Sequence, residues 1–310
     1  MLFLSASAVF GQLDIGDYGI IVRDDASIGG AHVHPGMIVG GNLTASQPID
    51  FGRDLVSAAP ALIVEGNVDT GNQIGLFNKS YYFHNPADRG AGSNLQNPGT
   101  ALTNDPLEGD FSAIFAGFQE RSTSFLTTPG TPTFAQEGKQ LSLTAISGIT
   151  NYFTFTAASL APFFGDSNRQ VQYNNVSNGD TRIVVNYIGN GGALTFNAQT
   201  MGLDATTYDQ VLWNFSNVST LTISSAATSF HGSILAPNSQ VIWNATDLDG
   251  QLIAESLQWN GGSRQIHDYA YFTGPLEPIP EPSTIGLGAV AALGALMLSR
   301  TLHQRRSAQA

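Results

Sequence analysis

The side chains that could carry chemistry are few and scattered. His32 and His34 stand two apart, so on a strand they share one face and could pinch a metal ion, or simply face solvent. Asp247-Leu248-Asp249-Gly250 has the texture of a calcium loop, which makes Asp247 and Asp249 the candidate metal ligands; Asp24-Asp25 is a second acidic pair. Aspartate also suits tight corners, so both pairs fit turns equally well. His231 and His267 are expected to hydrogen-bond between neighbouring passes of the backbone. Trp213, Trp243 and Trp259 lie thirty and sixteen positions apart, a spacing that fits rings stacked in a core, or one ring left outside to grip a sugar. No Gly-x-Ser-x-Gly elbow, His-Glu-x-x-His, P-loop or Gly-x-Gly-x-x-Gly opening a helix is present. Cleaving a polysaccharide needs clustered carboxylates, or a carboxylate-held calcium beside a base, and here acids come one or two at a time. The sequence therefore predicts no catalytic residue, no cofactor and no enzyme.

The elements that must position these residues are mostly strands. Of 310 residues only 12% are charged, while 34 are glycine, and Asn, Ser and Thr are abundant. That mixture suits many turns and hydroxyl-rich strand faces rather than a helical enzyme. The net charge is −12, and Arg300, Arg305 and Arg306 all fall in the last eleven residues, so nothing resembles a basic stripe and nucleic acid is excluded as a partner. There is no cysteine, which removes disulfides, thiolate metal sites and thiol catalysis.

One phrase is written twice. Gly232-Ser-Ile-Leu-Ala236 and Gly250-Gln-Leu-Ile-Ala254 share the pattern Gly-polar-aliphatic-aliphatic-Ala, with their glycines eighteen apart. A repeat of that length predicts a β-solenoid in which each coil stacks on the one before. Short strands separated by glycine turns continue the texture at 18–22, 37–39, 62–64, 141–143, 152–155 and 194–196. The most β-prone run, 182–188, is expected at the centre. One segment breaks the pattern: Phe111, Ile114, Phe115, Phe118, Ser122 and Phe125 recur at helical spacing, with Asp110 in the N-cap position and Pro129-Gly130 as the stop. A lone helix with an aromatic stripe is predicted to lie along the solenoid and shield one side of it.

The phrases Val211-Leu-Trp-Asn-Phe215, Phe230-His-Gly-Ser-Ile-Leu-Ala-Pro-Asn238 and Asp249-Gly-Gln-Leu-Ile-Ala254 resemble the closing part of the bacterial choice-of-anchor A domain, and Pro35-Gly-Met-Ile-Val-Gly-Gly-Asn-Leu43 resembles its opening. The resemblance implies an extracellular, adhesive module. The opening departs from the usual pattern around Arg23-Asp24-Asp25. A β-helix flanked by a helix is also similar to bacterial ice-binding domains, which share a Trp-bearing strand before the closing coils. Flat ice-binding faces need regular ranks of threonine, and such ranks do not align here.

At the other end, Pro280-Glu281-Pro282 precedes an apolar run of fourteen residues from Ile285 to Leu298, followed by Arg300, Arg305 and Arg306. This order resembles the PEP-CTERM sorting signal, and implies recognition by an exosortase with cleavage near Pro280-Glu281-Pro282. Fourteen residues fall short of the ~20 that span a bilayer, so the span must extend to residue 302, with the arginines at the cytoplasmic headgroups. The organisation expected is a signal-peptide remnant over 1–12, a solenoid domain over 13–274, a linker over 275–284, a transmembrane helix over 285–302 and a basic tail over 303–310. The fold expected is mainly β, a right-handed β-helix with one long α-helix alongside. The function expected is an exported bacterial envelope or matrix protein, held by its C-terminal helix until processed, with extracellular polysaccharide or a cell surface as partner. The alternative is a polysaccharide-active, carbohydrate-binding or ice-binding β-helix.

Overall fold

The protein is seen in a computed structural model that describes residues 13–85, 94–107, 111–130, 133–164, 168–177, 179–227, 229–260 and 264–273. The chain divides into two units, Met1–Leu276 and Glu277–Ala310. The second unit, with Pro280, Glu281, Pro282, Arg305, Arg306 and the 285–302 segment, lies outside the described residues, as do residues 1–12 and Asp110. Among the described residues, no helix is long and apolar enough to cross a membrane.

Strands too short to stand alone gain their stability by stacking, and here they stack on three faces. Nine strands pair in parallel along face A, one from each of nine coils. In chain order, coils 1 to 4 contribute Tyr18–Val22, Gly36–Val39, Leu62–Val64 and Tyr81–Phe83. Coils 5 to 7 contribute Thr150–Thr156, Arg182–Ile188 and Val211–Ser216. Coils 8 and 9 contribute Ser233–Trp243 and Leu252–Trp259, two long strands that turn from face A onto face B through a register irregularity between Ala236 and Gln240. Face B continues through Ala193–Phe196 and Thr220–Ile223 on one side and Ala26–Ile28, Leu43–Ala45 and Val68–Asp69 on the other. Face C is a parallel set from Asn94–Gln96 through Ala31–Val33 and Arg264–His267 to Ser229–His231. The one antiparallel pair among the described strands is a hairpin, Thr133–Glu137 with Gln140–Thr144.

The spatial order of the coils is not their chain order. Coil 1 pairs with coil 2 on one side and with coil 9 on the other, so the stack reads 4-3-2-1-9-8-7-6-5. The first four coils grow outward from the middle; the chain then crosses back, and coils 5 to 9 return to close on coil 1. This corrects the expected succession in which each coil stacks on the one before. The strand Arg182–Ile188, expected at the centre, lies next to the end of face A. Its burial comes from cover on both sides rather than from a central place.

The crossing is made by helix α1, Phe111–Thr127. Seventeen residues span about 25 Å, which is five of the ~4.8 Å intervals between coils. The outer column of face A runs Tyr82, Ile63, Ile38, Ile21, Ile253, Leu235 across successive coils. Phe111, Ile114, Phe115 and Phe118 bury against that surface, each fully buried phenylalanine worth about 2–3 kcal/mol. Beyond Leu235 the column turns polar, to Asn214, Asn186 and Thr154. Asn214 donates to Asn186 Oδ1 at 2.8 Å and to the Ser122 carbonyl at 2.9 Å, while Asn186 donates to the Phe125 carbonyl at 2.9 Å. Apolar contact thus holds the first half of α1, and a buried amide ladder pins the second, where every polar group must find a partner.

Inside the coils the columns are apolar, and Trp213, Trp243 and Trp259 are all fully buried. The rings of Trp243 and Trp259, on adjacent coils, stack 4.9 Å apart, while Trp213 donates to the Tyr173 hydroxyl at 2.6 Å. A second helix, α2 (Ala157–Phe164), takes the place of a face-B strand in coil 5 and sets Leu160, Phe163 and Phe164 into the core. The sequence hid it, because Pro162 sits within its eight residues. Corners rely on asparagine: Asn78, Asn97, Asn168, Asn175 and Asn217 adopt positive φ, which asparagine tolerates better than other residues with a side chain.

Candidate functional site

With α1 on face A, the outer surface of face B carries the side chains that alternate with the core residues. Register places them in two ranks. One runs Thr195, Thr222, Ile242, Gln258, Ser27, Thr44, Asp69 across seven coils. The other begins Ala193, Thr220, Gln240, Ser256. It continues at the corner with Asp25, Asn42 and Asn67, each just before its strand. Thr195, Gln240, Gln258, Ser27, Thr44 and Asp69 are exposed. The corner is stitched by side chains reaching the next coil: Asp25 Oδ1 accepts the Asn42 N–H at 2.7 Å, and Asn42 Oδ1 accepts the Asn67 N–H at 2.9 Å.

A groove of about 750 Å³ opens along this face, lined by Asp25, Ser27, Asn42, Thr44, Asp69, Gln240, Ser256 and Gln258 among others. It spans coils 8, 9, 1, 2 and 3, so it straddles the junction where the first coil meets the last. That junction is clipped on each face. On face A the fully buried Gln251 amide donates to the Ile15 and Tyr18 carbonyls, both at 2.8 Å. At the A–B corner Arg23 bridges Asp24 and Glu255.

On face C the junction is marked by histidines. His231 Nδ1 and His267 Nδ1 meet the two oxygens of one carboxylate, Asp249, at 2.6 and 2.5 Å. Beside them the His34 ring lies edge-on to His267 at 5.1 Å, and its Nδ1 meets Asp54 Oδ2 at 2.5 Å. His32 Nδ1 meets Asp50 Oδ2 at 2.6 Å. Tyr208 stacks on His231 with ring centroids 4.6 Å apart. Burial opposes ionisation of Asp249, but its hydrogen bonds to His231 and His267 outweigh that and hold the carboxyl below its ordinary value. Nearby Asp268 moves the other way, raised by burial and by the charges of Asp17 and Asp54. Across the molecule, burial and the neighbouring Asp105 push Glu65 up to about 7.

The residues singled out from sequence are therefore distributed. Asp249 joins His231 and His267 across three coils, as the expected bonding between passes requires, while Asp247 Oδ1 caps the Gln265 N–H at 3.0 Å. Among the described residues, no group of three or more histidines and carboxylates has the geometry to hold a metal ion. Of the groove, the sequence pointed only to Asp24-Asp25. Ser27, Thr44, Asp69, Gln240 and Gln258 stand at outward positions whose alignment requires the coil boundaries. The insertion at 52–61 between coils 2 and 3 breaks the period that would have given them.

Residues 12–268 match a family model described as "Putative Ice-binding-like adhesive domain". No curated protein gives a match. Among solved structures, an ice-binding protein from an Antarctic biological consortium aligns with a TM-score of 0.41 at 10% identity, over 82% of this chain and 91% of that one. An ice-binding protein from the Antarctic ascomycete Antarctomyces psychrotrophicus aligns with 0.36 at 11%, over 81% and 95%. A glycosylated ice-binding protein from an Arctic yeast aligns with 0.32 at 14%, over 86% and 94%. The family model runs from the start of the first coil to the end of the last, and the chain belongs to the ice-binding-like adhesive domain family.

Proposed function

We propose that this is an exported bacterial adhesive domain of the choice-of-anchor A type that holds an extracellular polysaccharide or cell surface through face B. The observation that carries the reading is the contrast between faces: α1 seals face A with an aromatic stripe, whereas face B presents two polar ranks and a groove. A surface built of hydroxyls, amides and carboxylates makes many weak contacts, and repetition turns weak contacts into firm attachment. Ice is the second candidate ligand within this class. A rank in which Thr195 and Thr222 are followed by Ile242, Gln258 and Ser27 before Thr44 and Asp69 lacks the uniform chemistry and reach that a crystal plane demands.

The sorting half of the proposal rests on the tail. Proline on both sides of Glu281 disfavours helix in such a sequence, which would suit uptake by a membrane-embedded exosortase, the apolar run serving to hold the peptide at the membrane and Arg305 and Arg306 to fix its orientation. No step of this reading needs a catalytic residue or a cofactor in the ectodomain. Retention of the full chain on matrix from its host tests the adhesive half. A Thr222→Lys, Thr44→Lys double variant should lose most of its retention, while His32→Ala on face C keeps it. Equal retention by all three proteins would refute face B as the adhesive surface.

A further inference from the structure

The groove on face B differs from the rest of that face in ways that indicate a ligand. Its lining includes the carboxylates of Asp24, Asp25 and Asp69 and no lysine, arginine or histidine. The nearest guanidinium, Arg23, is engaged by Asp24 and Glu255. Ser27, Thr44, Asp69, Gln240 and Ser256 line the groove with side chains that make no hydrogen bond to the described residues. Alternation of the strands aims these groups outward, and coil stacking repeats them at ~4.8 Å. Over five coils this gives a trough about 19 Å long, set with hydroxyls, amides that both donate and accept, and carboxylates that accept twice.

A ligand that fits must be elongated, must offer hydroxyls at short regular intervals, and must carry no negative charge. Asp24 is paired with Arg23, but an anionic chain would still meet the carboxylates of Asp25 and Asp69 with no cation beside them. An apolar chain would strand the side chains of Ser27, Thr44, Asp69, Gln240 and Ser256, each costing affinity when desolvated without a partner. A single small solute would use one or two coils and leave the rest empty. We propose that the groove bounded by Ser27, Thr44, Asp69, Gln240, Ser256 and Gln258 binds an uncharged glycan chain lying along the solenoid axis. Vicinal hydroxyls on such a chain suit the paired acceptors of Asp69 and the donor–acceptor amides of Gln240 and Gln258. This assignment rests on the reading of face B as the adhesive surface and narrows it to one subsite and one class of ligand.

Because the groove forms only when coil 1 closes on coil 9, its two walls come from residues 24–69 and 240–258. The binding site is therefore a product of the reversed coil order, and no isolated run of coils contains it.

The test is titration of the full chain with neutral xylo-, manno- and cello-oligosaccharides of two to six units, and with oligogalacturonate as the anionic control. Affinity for one neutral series should rise with length up to about five units, and oligogalacturonate should not bind. Thr44→Ala and Gln258→Ala should each weaken that binding about tenfold. His32→Ala, on face C away from the groove, should leave it unchanged, and all three substitutions are at exposed or half-buried positions that spare the core. Binding of oligogalacturonate as tightly as neutral chains, or equal weakening by His32→Ala, would overturn the assignment. Matrix retention that depends on face B without any neutral oligosaccharide binding would overturn the glycan and leave the adhesive reading standing. Neutral oligosaccharide binding with retention independent of face B would uphold the glycan and defeat that adhesive reading.

Discussion

Asp249 shows how a residue can be noticed for one chemistry and used for another. In sequence it closes an Asp-x-Asp-Gly phrase of calcium-loop texture; in the fold its two oxygens are occupied by His231 and His267 on the flanking coils. The phrase gave no sign of this, because both partners stand eighteen residues away, one coil in each direction. The interaction has a pH signature. A carboxyl whose folded value is held below its unfolded one, about 3.9, contributes stability that is complete above that value and is lost as pH falls through the lowered one. Asp249→Asn should therefore be less stable than the parent at pH 7, by about 1–2 kcal/mol for two charge-assisted bonds partly screened by solvent. The gap should close as pH drops below about 3.9. Urea midpoints at pH 7, 5 and 3 measure this, and a gap that widens toward acid would reverse the sign and reject the interpretation.

At the scale of elements, local pattern served well where an element's partners are its neighbours in sequence. The twin phrases at Gly232 and Gly250 do lie on adjacent coils in register, Ile234 against Leu252 and Ala236 against Ala254. The aromatic stripe of α1 faces the stack, with Phe115 almost completely buried. Replacing Phe115 with aspartate would set an unpaired charge between α1 and the outer column of face A, and should cost about 4 kcal/mol or more. Thermal unfolding by circular dichroism would report it, and an unchanged midpoint would mean that the helix does not seal this face. Pattern failed where partners are remote. The pairing of coil 1 with coil 9 joins residues more than 200 positions apart, and no feature of either strand announces the other. The reversal coincides with α1, which carries the chain back along about five of the eight intervals between coil 4 and coil 5. The corner ladder of Asp25, Asn42 and Asn67 was equally silent, because its steps of seventeen and twenty-five residues share no period.

At the scale of the whole molecule, the proposed function has two halves, an adhesive domain and a tail proposed to deliver it outside the cell. If residues 280–282 are read by an exosortase, mature protein recovered from the host's exterior should lack 285–310, and alanines in place of Pro280, Glu281 and Pro282 should leave full-length chain in the membrane. Mass spectrometry of the C-terminus decides between this and a permanent anchor, which would keep Arg305 and Arg306 on the exported protein. The domain itself makes a sharper claim, that attachment occurs through face B. Hydrogen–deuterium exchange compares the free protein with the protein bound to its host's matrix. Attachment through face B should slow exchange in 26–28, 43–45, 220–223, 240–243 and 256–259, and leave the face-C strands 31–33, 247–249 and 264–267 as they were. Slowed exchange confined to face C, or to α1 on face A, would contradict the account at its centre.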